Sequence, residues 1–188
     1  MWLMLNGANI TVVLVPHCAS VSRDGWAGNH DDRPLSGAGR EQAQALARAI
    51  GTGIEAIYTS PALRCRQTVE PLVAASGLEL VELPELYEAE GFHQPAEWVE
   101  GVFAPMGAAV AGAWTAGRTL GALARMVGTR VGGSVVACSH GDVIPVLLSS
   151  LAGAYRTPLP SLANRGGWYA LQFADGGLAM ASHSVGDS

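Results

Sequence analysis

Two short β-branched runs, TVVLVPH at 11–17 and SVVACSHGD at 134–142, each lead into a histidine. Each is too short for a helix, rich in valine and closed by turn residues, the pattern of a buried strand. An imidazole leaving such a strand lies where open α/β sheets place their ligands, outside the carboxyl ends of the strands. Two of them, separated by most of the chain, predict one site assembled from both halves.

The rest of the chain alternates strand-like and helix-like stretches. A polar loop at about 20–36, broken by Gly25, Gly28, Asn29 and Pro34, precedes REQAQALARAI, which sets Ala43, Leu46, Ala47 and Ile50 on one helical face. IEAIY then reads as a second buried strand. Ser60-Pro61 reads as a helix start, with a hydroxyl for the cap and proline at the first helical position, and Pro71 as a kink or break in that helix. LELVEL alternates as a strand. The stretch 95–127 is helical in character but interrupted by Gly107, Gly112, Gly117 and Gly121, where breaks are expected. After SVVAC come a helix, DVIPVLLSSLAG, and a terminal strand pair, WYALQF and LAMASH. This order predicts an α/β fold: one domain over 1–188, with its core at about 11–184, built as a mostly parallel central sheet flanked by helices.

Composition narrows the function. Hydrophobic residues make up 49% of the 188 and charged ones 14%, so the chain packs a core and needs no staples. A net charge of −5 argues against nucleic acid as a partner, because phosphate backbones require clustered Lys and Arg. Three scattered cysteines fit neither a disulfide framework nor a zinc site and read as reduced thiols of a cytoplasmic protein. No membrane span and no signal peptide are read from the chain. The Gly- and Ala-rich stretch 104–121 leaves oligomerisation open.

Three side chains stand out as chemistry. His17 follows the first strand. His140 sits in SHGD, where Gly141 permits a tight turn, Asp142 can cap the next helix, and that helix directs its first amides toward whatever lies above the histidine. Arg64 lies one turn into the helix after Ser60-Pro61. Singly, each reads as a structural residue. Together, two imidazoles and a guanidinium at three strand ends suit an oxyanion such as phosphate.

The segments LVPHCAS, RPLSGAGREQAQALA, YTSPALRCRQTVEPL and SHGDVIPVLLSSLAG, in this order and spacing, resemble the histidine phosphatase superfamily, the phosphoglycerate-mutase-like proteins. The resemblance spans roughly 11–175 and implies a three-layer sandwich. It also implies that His17 is the nucleophile, that Arg64 and His140 hold the phosphoryl group, and that a mid-chain glutamate is the general acid. The L-x-E context assigns that acid to Glu85, with Glu88 and Glu90 close enough to compete. The implied reaction passes through a phosphohistidine and needs neither metal nor cofactor, and its partner is a small phosphorylated molecule.

One departure matters. The family's first motif is normally Arg-His-Gly or Arg-His-Ala, whereas this chain has Pro16-His17-Cys18. Proline supplies neither charge nor donor, and loss of one preorganised donor typically costs on the order of 10²–10³ in rate. Two readings follow. The chain is a phosphomonoester hydrolase, slowed or assisted by another cation, with Arg23 and Arg33 on the adjacent loop as sources. Alternatively it is a repurposed member, either a phospholigand-binding pseudoenzyme or an acid–base enzyme acting on a non-phosphorylated metabolite. Cys18, beside His17, is an auxiliary candidate as a thiol activated by imidazole. Trp26, Tyr87, Phe92, His93 and Trp98 mark a substrate-facing region.

Overall fold

The structure, a computed structural model, describes residues 9–87, 95–128 and 132–185. Six strands form one sheet in the order β3-β2-β4-β1-β5-β6. They are β1 (Ile10–Pro16), β2 (Ala56–Thr59), β3 (Leu80–Glu82), β4 (Ser134–Ser139), β5 (Trp168–Ala174) and β6 (Gly177–His183). The first four run parallel, and β5 and β6 add an antiparallel hairpin against β1. The helices are α1 (Gly37–Ile50), α2 (Leu63–Ser76), α3 (Gly107–Val127) and α4 (Val143–Tyr155). The chain is thus a three-layer α/β domain with a mixed, mostly parallel sheet.

Alternation along β1 explains the layering. Val12 and Leu14 face one side, where they pack with Val135, Ala137 and the α3 and α4 residues Leu123, Met126, Ile144, Leu147 and Leu151. Val13 and Val15 face the other, with Ile57, Val136 and the α1 and α2 residues Leu46, Val69 and Leu72. A strand buried on both faces reads as a continuous apolar run, as β1 and β4 do.

Local expectations meet the structure at three points. The second helix begins at Leu63 behind an Ala62 cap position without a side-chain capping bond, and the Ser60 hydroxyl accepts from Ala62 N–H at 3.4 Å just ahead of it. Pro71 lies within α2 without ending it. Breaks expected near Gly107–Gly121 do not occur: after 3₁₀ turns at Ala96–Trp98 and Gly101–Met106, α3 is continuous. Its buried side chains, Ala116, Thr119, Leu123 and Met126, lie on one face, and the interior glycines Gly112, Gly117 and Gly121 lie where an added Cβ would meet open space. Tertiary burial of that face outweighs the glycine penalty of about 1 kcal/mol each.

One glycine is essential to the layer that carries the site. A Cβ on Gly39 would fall 1.8 Å from the Ala19 carbonyl oxygen. That oxygen also accepts from the Ser36 backbone N–H at 2.9 Å and from its hydroxyl at 3.1 Å. The same hydroxyl caps α1 by accepting from Gly39 N–H at 3.1 Å. The start of α1 is thereby fixed against the chain leaving β1.

Candidate active site

Three adjacent strands deliver the site. The β1–β4 register ends with Pro16 opposite Ser139, and His17 N–H donates to the Ser139 carbonyl at 2.9 Å. Ser60 N–H donates to the Cys138 carbonyl at 2.9 Å. The residues leaving β1, β2 and β4 are therefore tied to one rim of the sheet, its carboxyl end. There the rings of His17 and His140 meet edge to face with centroids 5.5 Å apart. Arg64, wholly buried in the first turn of α2, places its NH2 3.2 Å from His140 Nδ1. The three residues named from the sequence do converge.

Hydrogen bonds select the tautomers. The Cys18 carbonyl can only accept, so His17 Nδ1, 2.8 Å away, carries a proton, and the lone pair is left on Nε2. A guanidinium can only donate, so His140 Nδ1 accepts from Arg64 and His140 Nε2–H donates to the Ser60 hydroxyl at 2.8 Å. The hydroxyl expected to cap α2 is thus shared between His140 and the Ala62 N–H ahead of that helix. Cys65 Sγ, 3.6 Å from both His140 Nε2 and the Ser139 carbonyl, fills the space beneath. Burial lowers the pKa of His17 from its ordinary 6.5, because it penalises the imidazolium, and it outweighs the opposing pull of Cys65 and of the bond to the Cys18 carbonyl. His17 is thus held as a neutral imidazole.

On one side the group is covered. The His30 carbonyl accepts from Arg64 NH1 at 2.9 Å, at the start of a 3₁₀ turn, His30–Asp32, that Asn29 caps through its side chain. The Tyr87 hydroxyl donates to the Asp31 carboxylate, and the Tyr87 ring lies 5.2 Å from that of His140. His140 and Arg64 consequently have almost no exposed surface.

On the other side the site is open. A pocket of about 230 Å³ is lined by Pro16, His17, Gly141, Ala163, Asn164 and Arg165. Gly141 leads through Asp142 into α4, whose first two N–H groups, those of Val143 and Ile144, donate to the His140 carbonyl at 3.2 and 3.0 Å. Asp142 occupies the cap position of α4 without a side-chain capping bond.

Glu85, in the 3₁₀ turn Pro84–Leu86, pairs with Arg125 of α3 at 2.5 Å. Glu88, Glu90, Phe92 and His93 lie outside the described residues. Arg33 donates to the Val21 carbonyl at 2.8 Å and braces its own loop, and Arg23 is exposed. Cys18 is buried, its N–H bound to Thr68 Oγ1 at 3.0 Å, and burial pushes its thiol up to about 11. A thiol so raised stays protonated near neutrality and is a poor nucleophile. Arg165 was not anticipated. It belongs to no motif, and only the pairing of β5 with β1 brings it to the pocket. Among the described residues, no group of three or more His, Cys, Asp or Glu side chains could hold a metal ion, and no helix is long and apolar enough to cross a membrane.

Histidines leave β1 and β4 at one rim of a three-layer α/β frame, with an arginine behind them. The family model for the histidine phosphatase superfamily, branch 1, matches residues 12–185, and the chain belongs to that family. A segment of 63 residues is 40% identical to the 8-oxo-(d)GTP phosphatase of Mycolicibacterium smegmatis, spanning 33% of this chain and only 20% of that protein. Solved structures share the fold at low identity. Bacillus stearothermophilus YhfR superimposes with a TM-score of 0.68 at 17% identity, covering 90% of this chain and 94% of that one. A mycobacterial glucosyl-3-phosphoglycerate phosphatase complexed with VO3 gives 0.65 at 18%, covering 92% and 96%.

Proposed function

We propose that the protein hydrolyses small phosphomonoesters through a phosphohistidine on His17. The observation that carries this reading is the fixed tautomer of His17 at the pocket: Nδ1 is tied to the Cys18 carbonyl and Nε2 keeps its lone pair. Nε2 attacks phosphorus in line, the P–O ester bond breaks, and the leaving oxygen takes a proton from a carboxylic acid. Water then attacks the phosphohistidine, giving its proton to the same carboxylate, and inorganic phosphate and free imidazole result. His140, tied at both nitrogens by Arg64 and Ser60, packs edge to face on the His17 ring and supports the nucleophile from behind, so the charge that builds on the equatorial oxygens falls to groups that line the open pocket. Engagement of Glu85 by Arg125 supports placing the acid at Glu88 or Glu90 rather than Glu85. The phosphatase relatives support a small phosphorylated substrate.

The test is the pH dependence of kcat/KM for an aryl phosphate, corrected for ionisation of the ester. Protonation of Nε2 removes the attacking lone pair, so the rate must fall as pH drops through the His17 pKa. Because burial lowers that pKa, the acid limb is expected below pH 6.5, with a plateau through neutrality. A limb at or above pH 6.5 would contradict the assignment.

A second reading is favoured by two contacts. With the His30 carbonyl on Arg64 and Tyr87 on Asp31, the chain could hold a phosphoryl ligand at the pocket without turning it over. Saturable uptake of orthovanadate with no hydrolysis of any phosphomonoester is the outcome that reading predicts.

A further inference from the structure

The phosphatase reading leaves a deficit of positive charge where the substrate must enter. A phosphomonoester brings about two negative charges to His17. Arg64 is buried, with NH1 on the His30 carbonyl and NH2 on His140. Pro16, at the pocket wall, offers neither charge nor N–H. Among the residues that line the opening, Arg165 is the cation.

Its setting is a built one. Gly167 N–H donates to the Asn164 carbonyl at 2.8 Å, closing a four-residue turn with Arg165 at its second position. Gly166 follows with φ +83°, a backbone that side chains rarely adopt and that the third position of a type II turn requires. The turn is held from three directions. The Tyr169 hydroxyl accepts from Ala163 N–H at 3.0 Å. A Cβ on Gly167 would lie 2.4 Å from the His183 carbonyl, so β6 abuts it directly. Gly166 packs on Gln42 of α1, whose Oε1 accepts from Ala19 N–H at 2.9 Å just beyond the nucleophile. Leu14 pairs with Tyr169 in the antiparallel register, so the chain entering β5 lies beside the chain leaving β1. The guanidinium itself is exposed, and none of the described residues accepts a hydrogen bond or ion pair from it. Its charge also reaches Cys18, the residue after the nucleophile.

We propose that Arg165, carried by the turn before β5, is the phosphate clamp of the open pocket, taking in space the place that Pro16 vacates in sequence. This rests on the phosphomonoesterase reading. Its guanidinium donates to the non-bridging oxygens of the phosphoryl group while His17 Nε2 attacks, and it keeps hold of them as charge shifts to the leaving oxygen.

The test is steady-state hydrolysis of p-nitrophenyl phosphate, with orthovanadate inhibition, by the wild type, Arg165→Gln, Pro16→Arg and the double variant. Arg48→Gln, on an exposed position of α1, is the control, and His17→Ala sets the floor. Arg165→Gln is expected to lower kcat/KM on the order of 10²–10³-fold, mostly in kcat, and to weaken orthovanadate inhibition. Pro16→Arg is expected to change the wild type by less than about threefold but to restore about tenfold or more in the Arg165→Gln background, as two groups sharing one task do. Arg165→Gln within about twofold of the wild type, while His17→Ala is inactive, would overturn the role of Arg165 and leave the phosphatase reading standing. A wild type no faster than His17→Ala would overturn both.

Discussion

Replacing His17 by alanine is expected to reduce aryl phosphate turnover by on the order of 10⁴–10⁶, as deletion of a nucleophile does in enzymes that form covalent intermediates. Two features of the site lead to a loss of this size. The Nδ1 bond to the Cys18 carbonyl presents one nitrogen only, and burial keeps that nitrogen unprotonated near neutrality. No neighbouring group replaces it: His140 is tied at both nitrogens and Cys18 stays a thiol. The fold should tolerate the change, since the ring makes one hydrogen bond worth about 1 kcal/mol and is only partly buried. Purified His17→Ala assayed beside the wild type on the same ester, with urea unfolding as the control for folding, measures both halves. Residual activity within tenfold of the wild type would sink the nucleophile assignment.

Arg64→Ala is expected to injure stability as well as activity. The guanidinium is wholly buried and supplies hydrogen bonds to the His30 carbonyl and to His140 Nδ1. Truncation leaves two interior acceptors bare and opens a cavity, which together should cost about 2–5 kcal/mol of unfolding free energy. It also frees His140 to turn and removes the tether of the 3₁₀ turn over the site. The urea midpoint, with the slope unchanged, reads the effect. A variant as stable as the wild type would show that this buried network contributes little to folding.

The frame was readable because β1 and β4 announce themselves through valine runs and the helices through their periodic apolar faces. His17, Arg64 and His140 were readable for a related reason: each lies within a few residues of a strand end, and strand ends in a parallel sheet share a rim. What could not be read depends on contacts distant in sequence. Ser60 carries every local mark of a helix cap, yet a histidine 80 residues away shares its hydroxyl. The L-x-E context singles out Glu85, but its ion pair with Arg125 lies across 40 residues. The glycines of α3 weaken a helix in isolation, and only the burial of the opposite face holds it together. Arg165 lies 148 positions from His17 and belongs to a turn whose placement is set by β5 pairing with β1, a register the sequence does not declare. Arg23, by contrast, is near His17 in sequence yet is not among the residues that line that pocket.

The central claim is a covalent phosphohistidine formed and broken by successive in-line displacements, and the stereochemical course at phosphorus tests it without requiring the intermediate to accumulate. A phosphorothioate monoester made chiral at phosphorus by two oxygen isotopes, hydrolysed by the wild-type protein in water carrying the third, should yield thiophosphate of retained configuration, because two inversions cancel. Inverted product would mean that water attacks the ester directly and that His17 never bonds to phosphorus.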